Sequence, residues 1–234
     1  MKDDLGTRMK TQYEQRTRTW LPRRTYTIIR LDGKAFHTFT RGMERPYDER
    51  FMNAMDHTAM HLCLDIQGAV MAYVQSDEIS ILLTDFDKIT TDAWFDGQVQ
   101  KMVSVAASIA TGYFNQYINH DVQRMDHKMA FFDARIFTIP DPVEVENYFV
   151  WRQKDAVRNS LAMHAQSLFS HKALHGKSQA DMHEMIHGAG ENWNDLPDGF
   201  KRGRTITRLG DVKTPDFLKQ RELFKVLIPE IVYE

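Results

Sequence analysis

Two apolar, β-prone runs that each end beside an aspartate constrain this chain more than any other feature. Thr25 to Leu31 leads into Asp32-Gly33-Lys34-Ala35-Phe36-His37, and Ala69 to Val74 leads into Gln75-Ser76-Asp77-Glu78. The β-branched and aromatic residues of the runs favour strands, and the small and polar residues after them favour turns. Between the two, Asp48 is placed to cap a helix on which Phe51, Met55, Ala59, Leu62 and Ile66 recur at helical spacing. Ile79 to Thr84 reads as the hairpin partner of the second run. Asp96 is expected to cap a second long helix with Val99, Val103, Ala106, Ala110, Tyr113 and Tyr117 on one face. Met129 to Ile139 then returns as a strand.

The order β-α-β-β-α-β predicts an α+β fold, a ferredoxin-like antiparallel sheet with two helices on one face. In that topology the first two strands run the same way, so Asp32 and Asp77 come side by side at one edge. This is the palm arrangement of many polymerases and nucleotidyl cyclases. Two carboxylates so placed repel one another unless a divalent cation sits between them. Asp32 and Asp77, with the backbone carbonyl of Gly33, are therefore the candidate catalytic and metal-binding residues. Mg²⁺ suits such a site, because it takes few carboxylates and completes its shell with water and substrate phosphate. With two Mg²⁺ ions, one would activate an attacking hydroxyl and the other would neutralise a leaving phosphate. The small residues from Gly33 to His37 let backbone N–H groups approach phosphates. Ser76 could donate from the opposing turn. Glu78 is open between a further ligand and an exposed hairpin residue.

Beyond residue 140, Asp141-Pro142-Val143-Glu144 is a helix start, with Asp as cap and Pro at the first position. The helix should run through Ser160 with Arg152, Asp155 and Asn159 on one polar face. A second helix is expected over Gln179 to His187, a loop from Gly188 to Gly199, and two short strand-like runs, the last being Leu223 to Leu227. Phe149 and Trp151 are expected in the core. Arg16, Arg18, Arg23 and Arg24 and the cluster Lys201-Arg202-Gly203-Arg204 are candidate phosphate contacts. Residues 1–234 read as a single catalytic unit, a palm-like core over about 25–140 with a helical C-terminal extension over about 141–234 packed on it.

A formal net charge of −2 gives no global attraction to a polyanion, so local patches must meet one. The single cysteine, Cys63, falls on the apolar face of the first helix and excludes a disulfide framework. Met1-Lys2-Asp3-Asp4 lacks the apolar core of a signal peptide, and no apolar run is long enough to span a bilayer. The expectation is a soluble, cytoplasmic protein with no membrane partner. His183-Glu184-Met185-Ile186-His187 matches the zinc-peptidase pattern. Yet the third-ligand position of its longer form is Trp193, and ten histidines give so short a pattern many chances to arise.

Four segments together resemble the tRNA-histidine guanylyltransferase superfamily of 3′-to-5′ nucleotide-adding polymerases. They are Arg30 to His37, Tyr73 to Glu78, Phe132-Asp133-Ala134-Arg135 and Trp151-Arg152-Gln153-Lys154-Asp155. The resemblance implies that Asp32, Asp77 and the Gly33 carbonyl bind two Mg²⁺ ions. It further implies that Asp32, Gly33, Lys34, Ala35, Phe36 and His37, with Ser76 and Asp77, bind the nucleoside triphosphate. Arg45-Pro46-Tyr47-Asp48 is similar to a Lys-Pro-x-Asp segment of the family, which makes Arg45 a triphosphate contact. Enzymes that add guanosine to histidine tRNA carry His-Ile-Asn-Asn where this chain has Val157-Arg158-Asn159-Ser160. That departure looks like the guanylyltransferase-like branch, which extends or repairs truncated RNA 5′ ends against a template. The implied substrates are nucleoside triphosphates, with ATP or GTP activating, and a tRNA that is 5′-truncated or carries a 5′-mono- or triphosphate. The implied assembly is a homodimer or homotetramer. The alternatives are a tRNA-His guanylyltransferase proper, a palm enzyme acting only on small nucleotides, and a non-catalytic RNA-binding module.

Overall fold

The computed structural model describes residues 4–120 and 128–231. The polar N-terminal arm forms α1 (Leu5–Gln12), which buries no side chain, and a helical turn at Glu14–Thr17. The central region follows as β1 (Tyr26–Gly33), the short α2 (Phe36–Phe39), α3 (Glu49–Asp65), β2 (Ala69–Gln75), β3 (Glu78–Leu83), α4 (Val99–His120) and β4 (Phe132–Ile139). The last third adds α5 (Pro142–Leu168), α6 (His171–Leu174), α7 (Gln179–Gly188), α8 (Asp198–Arg202), β5 (Arg204–Thr207), β6 (Val212–Lys213) and α9 (Phe224–Leu227).

The six strands make one sheet in the order β4-β1-β3-β2-β5-β6, with every pairing antiparallel. Because β1 and β2 both pair antiparallel with β3, they run the same way, and their C-terminal ends share one edge of the sheet. One face, with Ile29, Leu31, Ala72, Val74, Ile79 and Ile81, packs on α3 and α4 through Met55, Ala59, Leu62, Ala106, Ala110 and Phe114. The other face, with Tyr26, Ile28, Met71, Tyr73 and Leu82, packs on Val145, Tyr148 and Phe149 of α5 and on Phe217 and Phe224. With both faces covered, β3 is buried along its whole length, Glu78 and Ser80 included.

Local signals set the helix starts. The Asp48 carboxylate accepts the N–H groups of Arg50 and Phe51 at the start of α3, and Asp141 accepts those of Val143 and Glu144 ahead of Pro142 in α5. Such caps are worth ~1 kcal/mol each. Ser178 and Asp181 close a reciprocal capping box on α7.

Three expectations are corrected. Asp96 does not cap the second long helix. It lies in the helical turn Trp94–Gly97 at a left-handed φ of 53°, three residues before α4 begins at Val99. On α4 the fully buried positions are Met102, Ala106, Ala110, Phe114 and Ile118, so Tyr113 and Tyr117 sit beside the core stripe rather than in it. Leu223 to Leu227 is helical, with Phe224 inserted against Phe217 at a ring separation of 4.6 Å.

Candidate active site

The shared end of β1 and β2 gathers the predicted residues. β2 turns into β3 through Ser76-Asp77 alone, and Ser76 takes a left-handed φ of 47° there. A two-residue hairpin needs such a position, and a non-glycine residue holds it at some cost in strain. The Gly33 N–H donates to the Asp77 carbonyl at 3.1 Å, tying the end of β1 to this turn. Gly33 is required for a second reason: a Cβ there would stand 2.3 Å from the Phe36 ring. That ring packs among Phe39, Phe51, Phe114 and Phe132. It fixes the Asp32–His37 loop to the core, with Ala35 in the left-handed region at the start of α2.

Asp32 and Asp77 act on one another electrostatically. Burial, and then the charge of Asp32, push the Asp77 carboxyl up to about 6. The donors fit a hard divalent cation: two carboxylates and the backbone carbonyl of Gly33 at adjoining strand ends, with Asp77 in no ion pair among the described residues.

Beside the pair opens a cavity of about 480 Å³, within the range of small-molecule sites. Gly33, Ala35, Phe36, His37, Arg45, Ser76 and Asp77 line it on one side, and Asn159, Ser160 and Met163 of α5 on the other. Lys34 is exposed outside it. Two buried polar atoms on its wall have no partner: Oε1 of Gln75 and Nη2 of Arg204.

Glu78 is neither an exposed hairpin residue nor poised as a metal ligand. It is buried, and Arg152 of α5 donates to both its oxygens, Nε to Oε1 at 2.8 Å and Nη2 to Oε2 at 2.7 Å. Arg152 also meets Asp155 at 2.9 Å, and Asn159 lies one turn on. The polar face of α5 read from the sequence is thus real, but its arginine is spent on Glu78.

The Lys201–Arg204 cluster is likewise spent internally. Lys201 and Arg202 pair with Asp198, and Arg204 Nε donates to Asp56 at 2.6 and 2.7 Å. A less completely paired basic row lies elsewhere, with Arg135 reaching the Asp133 carboxylate at 3.4 Å. On the α5 face, Arg30 stands directly across from Arg135 of β4, two residues behind the acidic row in which Asp32 stands across from Asp133 and Glu78. Like charges directly opposite destabilise a sheet. Arg30 Nε is buried without a partner. Trp151, expected in the core, is instead 52% exposed, with the Arg152 guanidinium 4.4 Å from its ring centre. The His183 ring meets Trp193 edge-to-face at 5.4 Å, and among the described residues no three metal-ligating side chains converge.

Arg30, Arg135 and Gln75 escaped the sequence reading as site residues. Only the strand register, which places Arg30 against Arg135, could have raised the first two.

The sequence model of the tRNA(His) guanylyltransferase family matches residues 6–140 of this chain. The chain belongs to that family. Its members are nucleotidyltransferases. The tRNA(His) guanylyltransferase of Eremothecium gossypii is 29% identical over 88% of this chain and 92% of its own length. An uncharacterised protein of Acanthamoeba polyphaga mimivirus is 30% identical over 88% of this chain and 77% of its own. Among solved structures, a bacterial tRNA(His) guanylyltransferase-like protein in complex with ATP superposes with a TM-score of 0.90 at 42% identity, covering 96% of this chain and 99% of that one. A bacterial guanylyltransferase-like protein in complex with GTP gives 0.80 at 40% identity, covering 95% and 98%. No helix among the described residues is long and apolar enough to cross a membrane.

Proposed function

We propose that this protein adds nucleotides to the 5′ end of tRNA in the 3′-to-5′ direction, copying the opposite strand, and so repairs truncated 5′ ends. The observation that carries this reading is Asp77 on the wall of a cavity that the Gly33–His37 loop and Ser76 also line, with the Asp32 charge close enough to raise its carboxyl. The sheet edge is read as a polymerase palm, and residues 1–234 as one catalytic unit acting in the cytoplasm as a homodimer or homotetramer. Likeness to proteins solved with ATP and with GTP supports a nucleoside triphosphate as the cavity's ligand.

In this reading Asp32, Asp77 and the Gly33 carbonyl hold two Mg²⁺ ions. When bound, these acidify an attacking hydroxyl and offset charge on the departing phosphate. Backbone N–H groups of Ala35, Phe36 and His37 and the Ser76 hydroxyl hold the triphosphate, and Arg45 neutralises it. The Lys34 N–H is already donated to the Phe131 carbonyl at 2.8 Å, so Lys34 offers its exposed side chain. A 5′-monophosphate end is first activated by ATP or GTP, which leaves a nucleotidyl cap and releases pyrophosphate. The 3′-hydroxyl of the incoming nucleotide then forms a bond to the RNA 5′ phosphorus, and the activating nucleotide leaves as its monophosphate. A 5′-triphosphate end skips activation and releases pyrophosphate. Arg30 and Arg135 receive the RNA 5′ phosphates, since Arg30 has no ion pair among the described residues and Arg135 is held only at 3.4 Å by exposed Asp133, so an anion relieves their mutual repulsion.

The departure at Val157-Arg158-Asn159-Ser160 supports repair over guanosine addition to histidine tRNA, because Ser160, which stands where the pattern has its last Asn, lines the cavity. The test incubates purified protein with Mg²⁺, labelled nucleotides and a tRNA lacking its 5′-terminal nucleotide. Growth that follows the template base supports repair. Guanosine added regardless of the opposite base supports the tRNA-His enzyme. Nucleotide consumption without RNA growth supports a small-nucleotide enzyme, and binding without turnover an RNA-binding module.

A further inference from the structure

On the seam between α3 and α4, outside the cavity's lining, four rings form a cluster that the nucleotidyl-transfer reading does not use. His57 and His61 lie one turn apart on α3, with their Nε2 atoms 3.3 Å from each other. Tyr113 of α4 stacks on His61 with ring centres 3.9 Å apart and planes 10° apart, and Tyr117 covers His57 at 4.5 Å. Asp65, one further turn along α3, lies close enough to the Tyr113 hydroxyl to hold its pKa above the ordinary tyrosine value. Both imidazoles are thus held from the side by a neighbouring helix.

Two imidazole nitrogens bound to one tetrahedral zinc at about 2.0–2.1 Å stand about 3.3 Å apart. The pair already has that spacing. As a hydrogen bond the same contact requires one Nε2 to carry a proton and the other to present its lone pair. His57 Nδ1 is buried with no partner among the described residues, so none of them fixes from the far side of that ring which tautomer it takes. The two Nε2 lone pairs are therefore free to point at a shared cation.

We propose that His57 and His61 form a two-imidazole site for a borderline divalent transition ion of the zinc class. Water completes the coordination shell. Imidazole nitrogen selects such ions over Mg²⁺, which wants oxygen donors, so this site and the carboxylate pair at the strand ends take different metals. With no outer-shell acceptor on His57 Nδ1, the site is labile rather than a permanent structural zinc. Occupancy braces the middle of α3, and the folded protein gains stability with free metal concentration.

The test titrates metal-free full-length protein with Zn²⁺ in buffer containing excess Mg²⁺, following heat and the ring ¹⁵N signals of the histidines. The expected result is one equivalent bound, with the Nε2 signals of two rings shifting together. His57→Gln and His61→Gln should each weaken binding by at least the ~10–100-fold that loss of an outer-shell partner costs, and His183→Gln should leave it unchanged. Wild-type protein in which no pair of Nε2 signals moves overturns the proposal without recourse to any variant. So does either variant binding zinc as tightly as wild type.

Discussion

Asp77 and Glu78 are neighbours at one tight turn, and the chain treats them in opposite ways. Glu78 points to the α5 face, where Arg152 grips both its oxygens and Asp155 shares the arginine. Asp77 points to the cavity, in no ion pair among the described residues, with burial and Asp32 raising its carboxyl to about 6. The basic residues divide in the same way. Arg204 is anchored by Asp56 and by the Gly199 carbonyl, with only its Nη2 left over, whereas Arg30 faces Arg135, which Asp133 meets no closer than 3.4 Å. Charge that the fold completes is scaffold. Charge that it leaves incomplete at the strand ends is where a ligand belongs.

The largest effect should fall on the incomplete side. Asp77→Ala and Asp32→Ala should each lower nucleotide addition by about 10³-fold or more, at least ~4 kcal/mol of transition-state stabilisation, with the thermal midpoint no lower than wild type. A variant that stays active would place the chemistry elsewhere. On the completed side the loss is of folding. Arg152→Met strands a buried carboxylate and should destabilise the protein by ~3–5 kcal/mol in urea unfolding. Adding Glu78→Gln should recover much of that, because it removes the stranded charge. A neutral Arg152→Met would mean that water already reaches Glu78, and the contrast between the two acids would collapse.

The incomplete side was the legible one. Asp32 and Asp77 follow from strand period, turn chemistry and the connection rules for β-α-β-β-α-β, all of which act over short stretches. The caps at Asp48, Asp141 and Ser178 are local too. The completed side depends on distant partners: Glu78 finds Arg152 across 74 positions, and Arg204 finds Asp56 across 148. Asp198, which takes Lys201 and Arg202, lies within a turn of the cluster, but nothing near it announces Asp56 as the partner of Arg204, so the cluster read as a phosphate patch. The phase of α4 failed for a subtler reason. Val103, Tyr113 and Tyr117 are apolar enough to mark a core face, yet Met102, Phe114 and Ile118 lie one residue away and fill the core better. Trp151 is exposed because α5 turns Phe149 and Val150 inward at that level.

Asp77 also carries a pH signature. The folded protein holds a proton on Asp77 up to about pH 6, whereas an unfolded aspartate releases it near its ordinary value of 3.8. Between those values the folded state binds the extra proton, so metal-free stability should rise as pH falls through about 6 and level off near 4. Above 6, ionised Asp77 opposes folding. Asp77→Asn should therefore be more stable than wild type at neutral pH without metal, by ~1–2 kcal/mol, and the advantage should fade towards pH 4. Saturating Mg²⁺ should narrow the gap by stabilising wild type alone. If the variant is no more stable than wild type at neutral pH, the carboxylates do not repel one another as the fold implies.

The smallest effect tests the division among the arginines. Arg135 is exposed on β4, opposite Arg30, so Arg135→Gln should leave folding intact. If it meets an RNA phosphate, the slope of log affinity against log salt should shrink by about 0.7–0.9, one contact's share, with affinity falling several-fold at low salt. Arg202→Gln removes the same charge from the chain, but from a guanidinium already paired with Asp198 at 2.6 Å. Its slope should stay at the wild-type value. The comparison holds net charge constant between the variants, so a difference in slope reports where the RNA lies. Equal slopes would mean that Arg135, held by Asp133 at 3.4 Å, is no nearer the RNA than the more tightly paired Arg202.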